Sequence, residues 1–271
     1  MIGDRSDVLP VRKLGRALKL AAEQITKYLH DGYIVIDDML SEHKLAALRQ
    51  HVEDIAEGRV EFPEQSLEYE PSVNVLRRHM RHLRKVNECA QNDPFFLAHA
   101  RNPAILDMVE ALIGPDIKLF GDQMFVKPPG GIAKPYHQDS PYFNIEPMAL
   151  VTAWVAMDDV TVKNGCMWVV PGSHHVGPRD HSEPWLVGDR TDMRIPDSAI
   201  NLSKEKPITM KAGGCSFHHS LVMHRSGANH SVQFRRGLAT HYMSSQSHWT
   251  SSSAKKPKFP LLRGREYPGC V

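Results

Sequence analysis

The residues with the clearest chemical potential lie in Pro135-Tyr136-His137-Gln138-Asp139. In a strand, residues i and i+2 project from one face, so His137 and Asp139 can address one metal ion together. A third ligand has to come from elsewhere in the chain. His224 is the leading candidate, since it follows the apolar run Leu221-Val222-Met223 and precedes the turn-like Arg225-Ser226-Gly227. Two histidines and one carboxylate on one face of a metal leave the opposite face open, which is the ligand set of non-haem Fe(II) oxygenases. His-x-Asp alone is weak in a chain with 16 histidines. Its weight comes from Arg235, at 235 − 224 = 11 residues past His224. Residues 225–231 suffice for a turn, which would bring Arg235 onto a neighbouring strand facing the metal. A buried guanidinium there suits a bidentate grip on a carboxylate.

Rival histidines stand nearby. His219 has the parity of the opposite strand face, whereas His218 shares the parity of His224, although Ser220 and the apolar run interrupt a single strand. His174 and His175 follow the turn Pro171-Gly172-Ser173 and read as structural or surface residues. Tyr142 and Phe143 lie just past Asp139, where one of them would face a substrate. As strand neighbours, the two would face opposite ways.

These residues need a scaffold, and the chain divides into two textures. Leu14, Ala17, Leu18, Ala21, Ile25 and Leu29 recur at helical spacing up to Gly32, and Tyr33–Ile36 reads as a short buried strand. Ser41 caps a second helix with Leu45, Leu48, Val52 and Ile55 on one face. Asp93-Pro94 and Asn102-Pro103 each read as a cap followed by proline at the first helical position. Beyond residue 116, short apolar runs alternate with breakers: Ile117–Phe120, Met124–Val126, Leu150–Met157, Met167–Val170, Cys215–Phe217, Leu221–Met223 and Gly237–Met243. Many short strands indicate an all-β sandwich or barrel, here a jelly roll buttressed by N-terminal helices. The expected organisation is one domain over 1–271, with mostly helical support in 1–115 and the jelly-roll core in 116–250. The polar, strand-poor stretch 178–206 would be a loop insertion serving as a lid.

Bulk properties fit one large domain of 271 residues at net charge +2. No long basic stripe invites nucleic acid, and no apolar run is long enough to span a membrane. The charged N-terminus does not read as a signal peptide, and four cysteines without paired spacing suit a reduced, cytoplasmic protein. Oligomeric state is not legible.

From His30 onward the chain resembles the phytanoyl-CoA dioxygenase family, which includes ectoine hydroxylase-like enzymes. The resemblance rests on His30-Asp31-Gly32-Tyr33, Lys127-Pro128-Pro129, His137-Gln138-Asp139, Ala153-Trp154, Asn164-Gly165-Cys166, Pro171-Gly172-Ser173-His174, and His224-Arg225-Ser226-Gly227 with Arg235. It implies a double-stranded β-helix, Fe(II), 2-oxoglutarate as co-substrate and O2, with a small molecule as substrate. It implies that His137, Asp139 and His224 hold iron, and that Arg235, helped by Ser226, holds the distal carboxylate of 2-oxoglutarate. Trp154, Gln123 and Lys85 would line the co-substrate pocket, and Asn87 would approach the substrate. Related halogenases have a small residue at the carboxylate position, so Asp139 favours hydroxylation, with release of succinate and CO2, and leaves desaturation and ring closure open. Two other readings stay open: a cupin-like metalloenzyme that does not use 2-oxoglutarate, and a non-catalytic binding module on the same fold.

Overall fold

The computed structural model describes residues 12–14, 17–70, 79–186, 192–252 and 255–271. Among the described residues five α-helices are formed: α1 (Ala22–Asp31), α2 (Glu42–Ala56), α3 (Cys89–Asn92), α4 (Pro94–Ala100) and α5 (Pro103–Ile113). The first strands are β1 (Arg12–Leu14), β2 (Ala17–Lys19), β3 (Tyr33–Ile36), β4 (Leu67–Tyr69), β5 (Leu83–Asn87) and β6 (Ile117–Lys127). Next come β7 (Lys134–His137), β8 (Ile145–Glu146), β9 (Val151–Ala156), β10 (Met167–Val169), β11 (Glu183–Leu186) and β12 (Asp192–Arg194). The last are β13 (Lys206–Ile208), β14 (Cys215–His219), β15 (His224–Ser226), β16 (Arg235–Ser244), β17 (His248–Trp249) and β18 (Leu261–Arg263).

The caps form as their residue types dictate. The Asp93 carboxylate accepts from the Phe95 N–H at 2.8 Å, and Asn102 accepts from Ala104 at 3.2 Å. Leu45, Leu48, Val52 and Ile55 are all buried on α2. The first helix is shorter than the periodicity predicts. It starts at Ala22, and β1 and β2 precede it as an antiparallel pair. Its inward residues are Gln24 and Tyr28, and Leu29 is 59% exposed rather than part of the core.

Two antiparallel sheets face one another as an open jelly roll. The larger runs β3-β14-β9-β16-β6-β5-β4, with β18 pairing the start of β6. The smaller runs β13-β10-β15-β7. The N-terminal part is therefore not only helical, because β3, β4 and β5 belong to the large sheet. The runs 117–120 and 124–126, expected as two strands, form one strand through Gly121-Asp122. Leu221–Met223 is a turn, not a strand, and links β14 to β15.

Alternation sorts the side chains of the large sheet. Ile34, Val126, Val155, Phe217, Leu238 and Tyr242 point outward into one cluster with Leu45, Ile55, Phe96 and Met108 of the helices. Tyr33, Val35, Trp154, Ala156 and Ala239 point inward and meet Val169 and Ile208 of the small sheet. Among the described residues, no helix is long and apolar enough to cross a membrane. Phe96→Ala should cost roughly 3–5 kcal/mol in chemical denaturation, because its ring is fully buried. Leu29→Ala should stay within about 0.5 kcal/mol; equal losses would restore Leu29 to the core.

Candidate active site

His137 ends β7 and His224 begins β15, and the two are directly paired across the small sheet. Their rings lie 4.1 Å apart between centroids. The Nδ1–H of His137 donates to the Pro135 carbonyl at 2.9 Å, and that of His224 donates to the Val222 carbonyl at 3.0 Å. A carbonyl only accepts, so both rings carry their proton on Nδ1 and present a bare Nε2. Those two Nε2 atoms lie 3.9 and 3.7 Å from Oδ1 of Asp139. One ligand atom from each of the three residues falls within 4.8 Å of the others.

Asp139 does not lie on a strand as the parity argument supposes. It sits in helical backbone conformation after β7, at the start of the 3-10 turn Ser140–Tyr142. The N–H groups of Asp139 and Ser140 both donate to the Ser220 carbonyl, at 2.9 and 3.1 Å. The turn swings the carboxylate back beneath the two imidazoles. Gln138, fully buried, points the other way and donates to the carbonyls of Leu221 and Gly177.

Burial raises the Asp139 carboxyl, but His224, His241, His137 and His218 outweigh it and hold the group well below the usual carboxylate range. Burial, then His224, pushes His137 well below its ordinary value. Such a set, anionic oxygen with two neutral imidazoles, is what a divalent transition metal needs. His218 stands on the far side of the carboxylate, 3.8 Å from Oδ2, and burial brings it down to about 3. His219 points away and packs against Tyr28 and His174. His174 and His175 donate to the carbonyls of Leu29 and His30, closing the C-terminus of α1.

Across the inter-sheet space lies Arg235, at the start of β16 and 5% exposed. Its guanidinium sits 5.4 Å over the Trp154 ring, and its Nε–H has no hydrogen-bond partner. Burial lowers it to about 10, so it remains cationic. Lys127, opposite it on β6, donates to Ser226 Oγ at 2.9 Å and to the Gly227 carbonyl. Burial, then Arg235, brings the Lys127 ammonium down to about 6. Ser226 is thus held by Lys127. A buried guanidinium with an unpaired Nε–H, beside the Lys127 amine, fits an arriving carboxylate.

A cavity of about 460 Å³ is lined by His241 and takes in Asn87, Gln123, Tyr142 and Phe143. Asn87 and Gln123 are paired across β5 and β6. Tyr142 and Phe143 both line the cavity, contrary to the expectation of opposite facing, because the 3-10 turn does not alternate as a strand does. Lys85 lies further along β5, 5.7 Å over the Phe125 ring and 3.6 Å from Glu68.

Two residues that strand parity could have found are His241 and Thr152. His241 continues the inward row of Arg235, Gly237 and Ala239, and Thr152 precedes Trp154 by two. Thr152 Oγ1 lies 2.8 Å from His241 Nδ1 and 3.4 Å from Asp139 Oδ2. Burial lowers His241 below its ordinary value.

The stretch 178–206 is not structureless. It carries the β11–β12 ribbon, and Ile195 and Ile200 are buried against Tyr136, Val170 and Met223. The Gln138 N–H donates to His181 at 2.9 Å, and Lys134 pairs with Asp192 at 3.0 Å. Residues 187–191 lie outside the described residues.

This two-sheet frame with a two-histidine, one-carboxylate centre is that of an iron- and 2-oxoglutarate-dependent dioxygenase. The sequence profile of the phytanoyl-CoA dioxygenase family matches residues 28–237, and the chain belongs to that family. Bovine peroxisomal phytanoyl-CoA dioxygenase is 30% identical over 85% of this chain and 70% of its own. EctD from S. alaskensis, solved with 2-oxoglutarate and 5-hydroxyectoine, superposes with a TM-score of 0.72 at 20% identity, over 96% of this chain and 88% of its own. The epimerase SnoN, solved with Fe3+, alpha ketoglutarate and nogalamycin RO, gives 0.69 at 22% identity, over 89% and 98%.

Gly237 has no Cβ for a steric reason: one placed there would lie 2.0 Å from Trp154 Cζ2. Gly237→Ala should force the indole away from Arg235 and cost about 1–3 kcal/mol. Thermal denaturation together with tryptophan emission checks this, and an unchanged spectrum and melting point would refute the contact.

Proposed function

We propose that the chain hydroxylates an unactivated C–H of a small molecule, with His137, Asp139 and His224 as iron ligands and Arg235 gripping the far carboxylate of 2-oxoglutarate. The observation that carries this reading is the pairing of three converging donor atoms with a buried guanidinium whose Nε–H is unpaired, across the same inter-sheet space. Iron and 2-oxoglutarate supply the oxidation, in which dioxygen is consumed and succinate and CO2 leave. The protein contributes placement. Pro135 and Val222 fix the imidazole tautomers, and Trp154 packs under Arg235. Ser226, Gln123 and Lys85 are proposed as further co-substrate contacts, with Tyr142, Phe143 and Asn87 facing the substrate. A carboxylate at 139 leaves no ligand position for halide, which supports hydroxylation over halogenation.

The whole of 1–271 is read as one catalytic unit, because the helices share their core with the large sheet. Residues 178–206 are read as a lid hinged on Gln138 and Lys134. Three buried free thiols, Cys89, Cys166 and Cys215, support a reducing compartment such as the cytoplasm.

His137→Ala, Asp139→Ala and His224→Ala should each lose Fe(II) on metal analysis and lose succinate formation, whereas His218→Ala should keep its iron. Iron retained by His224→Ala would displace that histidine from the set. Arg235→Ala should weaken 2-oxoglutarate by on the order of 2–5 kcal/mol in calorimetric titration, since it removes a charge-assisted contact in a buried place. An unchanged affinity would assign the far carboxylate to another group. For the lid, hydrogen exchange at 178–186 and 192–206 should slow when co-substrate and substrate are both bound; exchange indifferent to both would contradict a lid.

A further inference from the structure

The cavity lined by His241, which reaches Asp139 through Thr152, is chemically lopsided. Phe143 and Phe120 have centroids 4.3 Å apart, Phe120 stacks on Phe259 at 5.6 Å, and Trp249 lies 6.2 Å beyond Phe259. These four rings make one continuous aromatic wall. No lysine or arginine of the described residues lines the cavity, and the exposed carboxylate of Glu88 stands at its edge.

Two polar groups on this cavity have their hydrogen-bond roles fixed by what stands behind them. Asp139, as a carboxylate, accepts from the Thr152 hydroxyl, which has one hydrogen to give. The Thr152 oxygen then accepts from His241, which must carry its proton on Nδ1. The Nε2 atom of His241, a residue of the cavity lining, is left as a lone-pair acceptor. Asn87 repeats the logic. Its Nδ2 donates to the Glu68 carboxylate at 2.8 Å, which fixes the amide orientation and leaves Oδ1 buried without a partner.

Resting on the hydroxylase reading above, we propose that the substrate is an uncharged, flat, ring-bearing molecule. It lays one face on the aromatic wall and donates hydroxyl or N–H hydrogens to His241 and Asn87. An anionic substrate, including an acyl-CoA with its phosphates, meets no cation of the described residues there and faces the carboxyl groups of Glu88 and Asp122. The cavity volume, about 460 Å³, suits a molecule of two or three rings. Offset contact with the wall supplies area, and the two acceptors reject analogues that lack donors, because a buried acceptor left unpaired is costly.

The test is calorimetric titration of the enzyme carrying Fe(II) and 2-oxoglutarate, without oxygen. The probes are para,para′-biphenol, its dimethyl ether, its bis-sulfate ester and octanoyl-CoA. Biphenol should bind roughly tenfold more tightly than the ether, the size of a pair of modest hydrogen bonds. The sulfate and the CoA ester should bind more weakly than either. His241→Phe and Asn87→Leu should each shrink the preference for biphenol over the ether, with iron content and 2-oxoglutarate affinity unchanged. Equal affinity of ether and biphenol in the wild type, tighter binding of either anion, or a preference that survives both substitutions overturns the proposal. Failure of the wild type to take up Fe(II) would instead strike the hydroxylase reading, and the same four affinities, measured on that protein, would still judge the cavity.

Discussion

Two charges of opposite sign are buried between the sheets, and neither is neutralised in the ordinary way. Asp139 meets imidazoles and one hydroxyl, while Arg235 meets an indole face and the Lys127 amine, whose charge burial disfavours. Burying an ion without a matched partner costs several kcal/mol. The remaining structure can be understood as what holds these two groups in place against that cost. The outer face of the large sheet, packed on five helices, keeps β6, β9 and β16 from yielding. The Ser220 carbonyl fastens the turn at Asp139, and the bulged pairing of β7 with β15 sets the two histidines opposite each other. A metal ion and a dicarboxylate between them would satisfy both charges, so ligand binding and structural relief are the same event here.

Much of this arrangement was legible from residue types. The caps at Asp93 and Asn102 and the inward stripe of α2 are local, and local chemistry decided them. That His137, Asp139 and His224 converge was legible because few residue types suit a metal, even though the parity argument behind Asp139 was mistaken. What the sequence hid was tertiary. Leu29 has the spacing of a core residue, but α1 turns Gln24 and Tyr28 inward instead. Leu221–Met223 is apolar enough for a strand, yet its backbone is committed to holding Gln138 and His224. His241 went unnoticed among many histidines, although its parity with Arg235 along β16 placed it on the inner face.

The turn after β7 also explains why the two aromatic neighbours Tyr142 and Phe143 share a cavity. A strand alternates, whereas a 3-10 turn lets successive side chains lean the same way. Tyr142 is tied by its hydroxyl to the Met193 carbonyl at 3.1 Å, so the β11–β12 ribbon is connected to the rim of the cavity through one hydrogen bond. Phe143 instead belongs to the ring stack behind His241.

The edges of the large sheet carry a consequence for how this fold can be divided. β3 covers one side of β14 along Cys215–His218, and β5 covers one side of β6 at Gln123–Phe125. Both covering strands come from the N-terminal third. A chain cut at residue 116 would keep His137, Asp139, His224 and Arg235. It would also expose two rows of unpaired amides and carbonyls, one of them on the strand that bears His218, and such open edges recruit other chains. The catalytic constellation and the part of the sequence that contains it are therefore not the same as the smallest piece able to stay monodisperse. The first hundred residues are the hem that stops this sheet from unravelling into its neighbours.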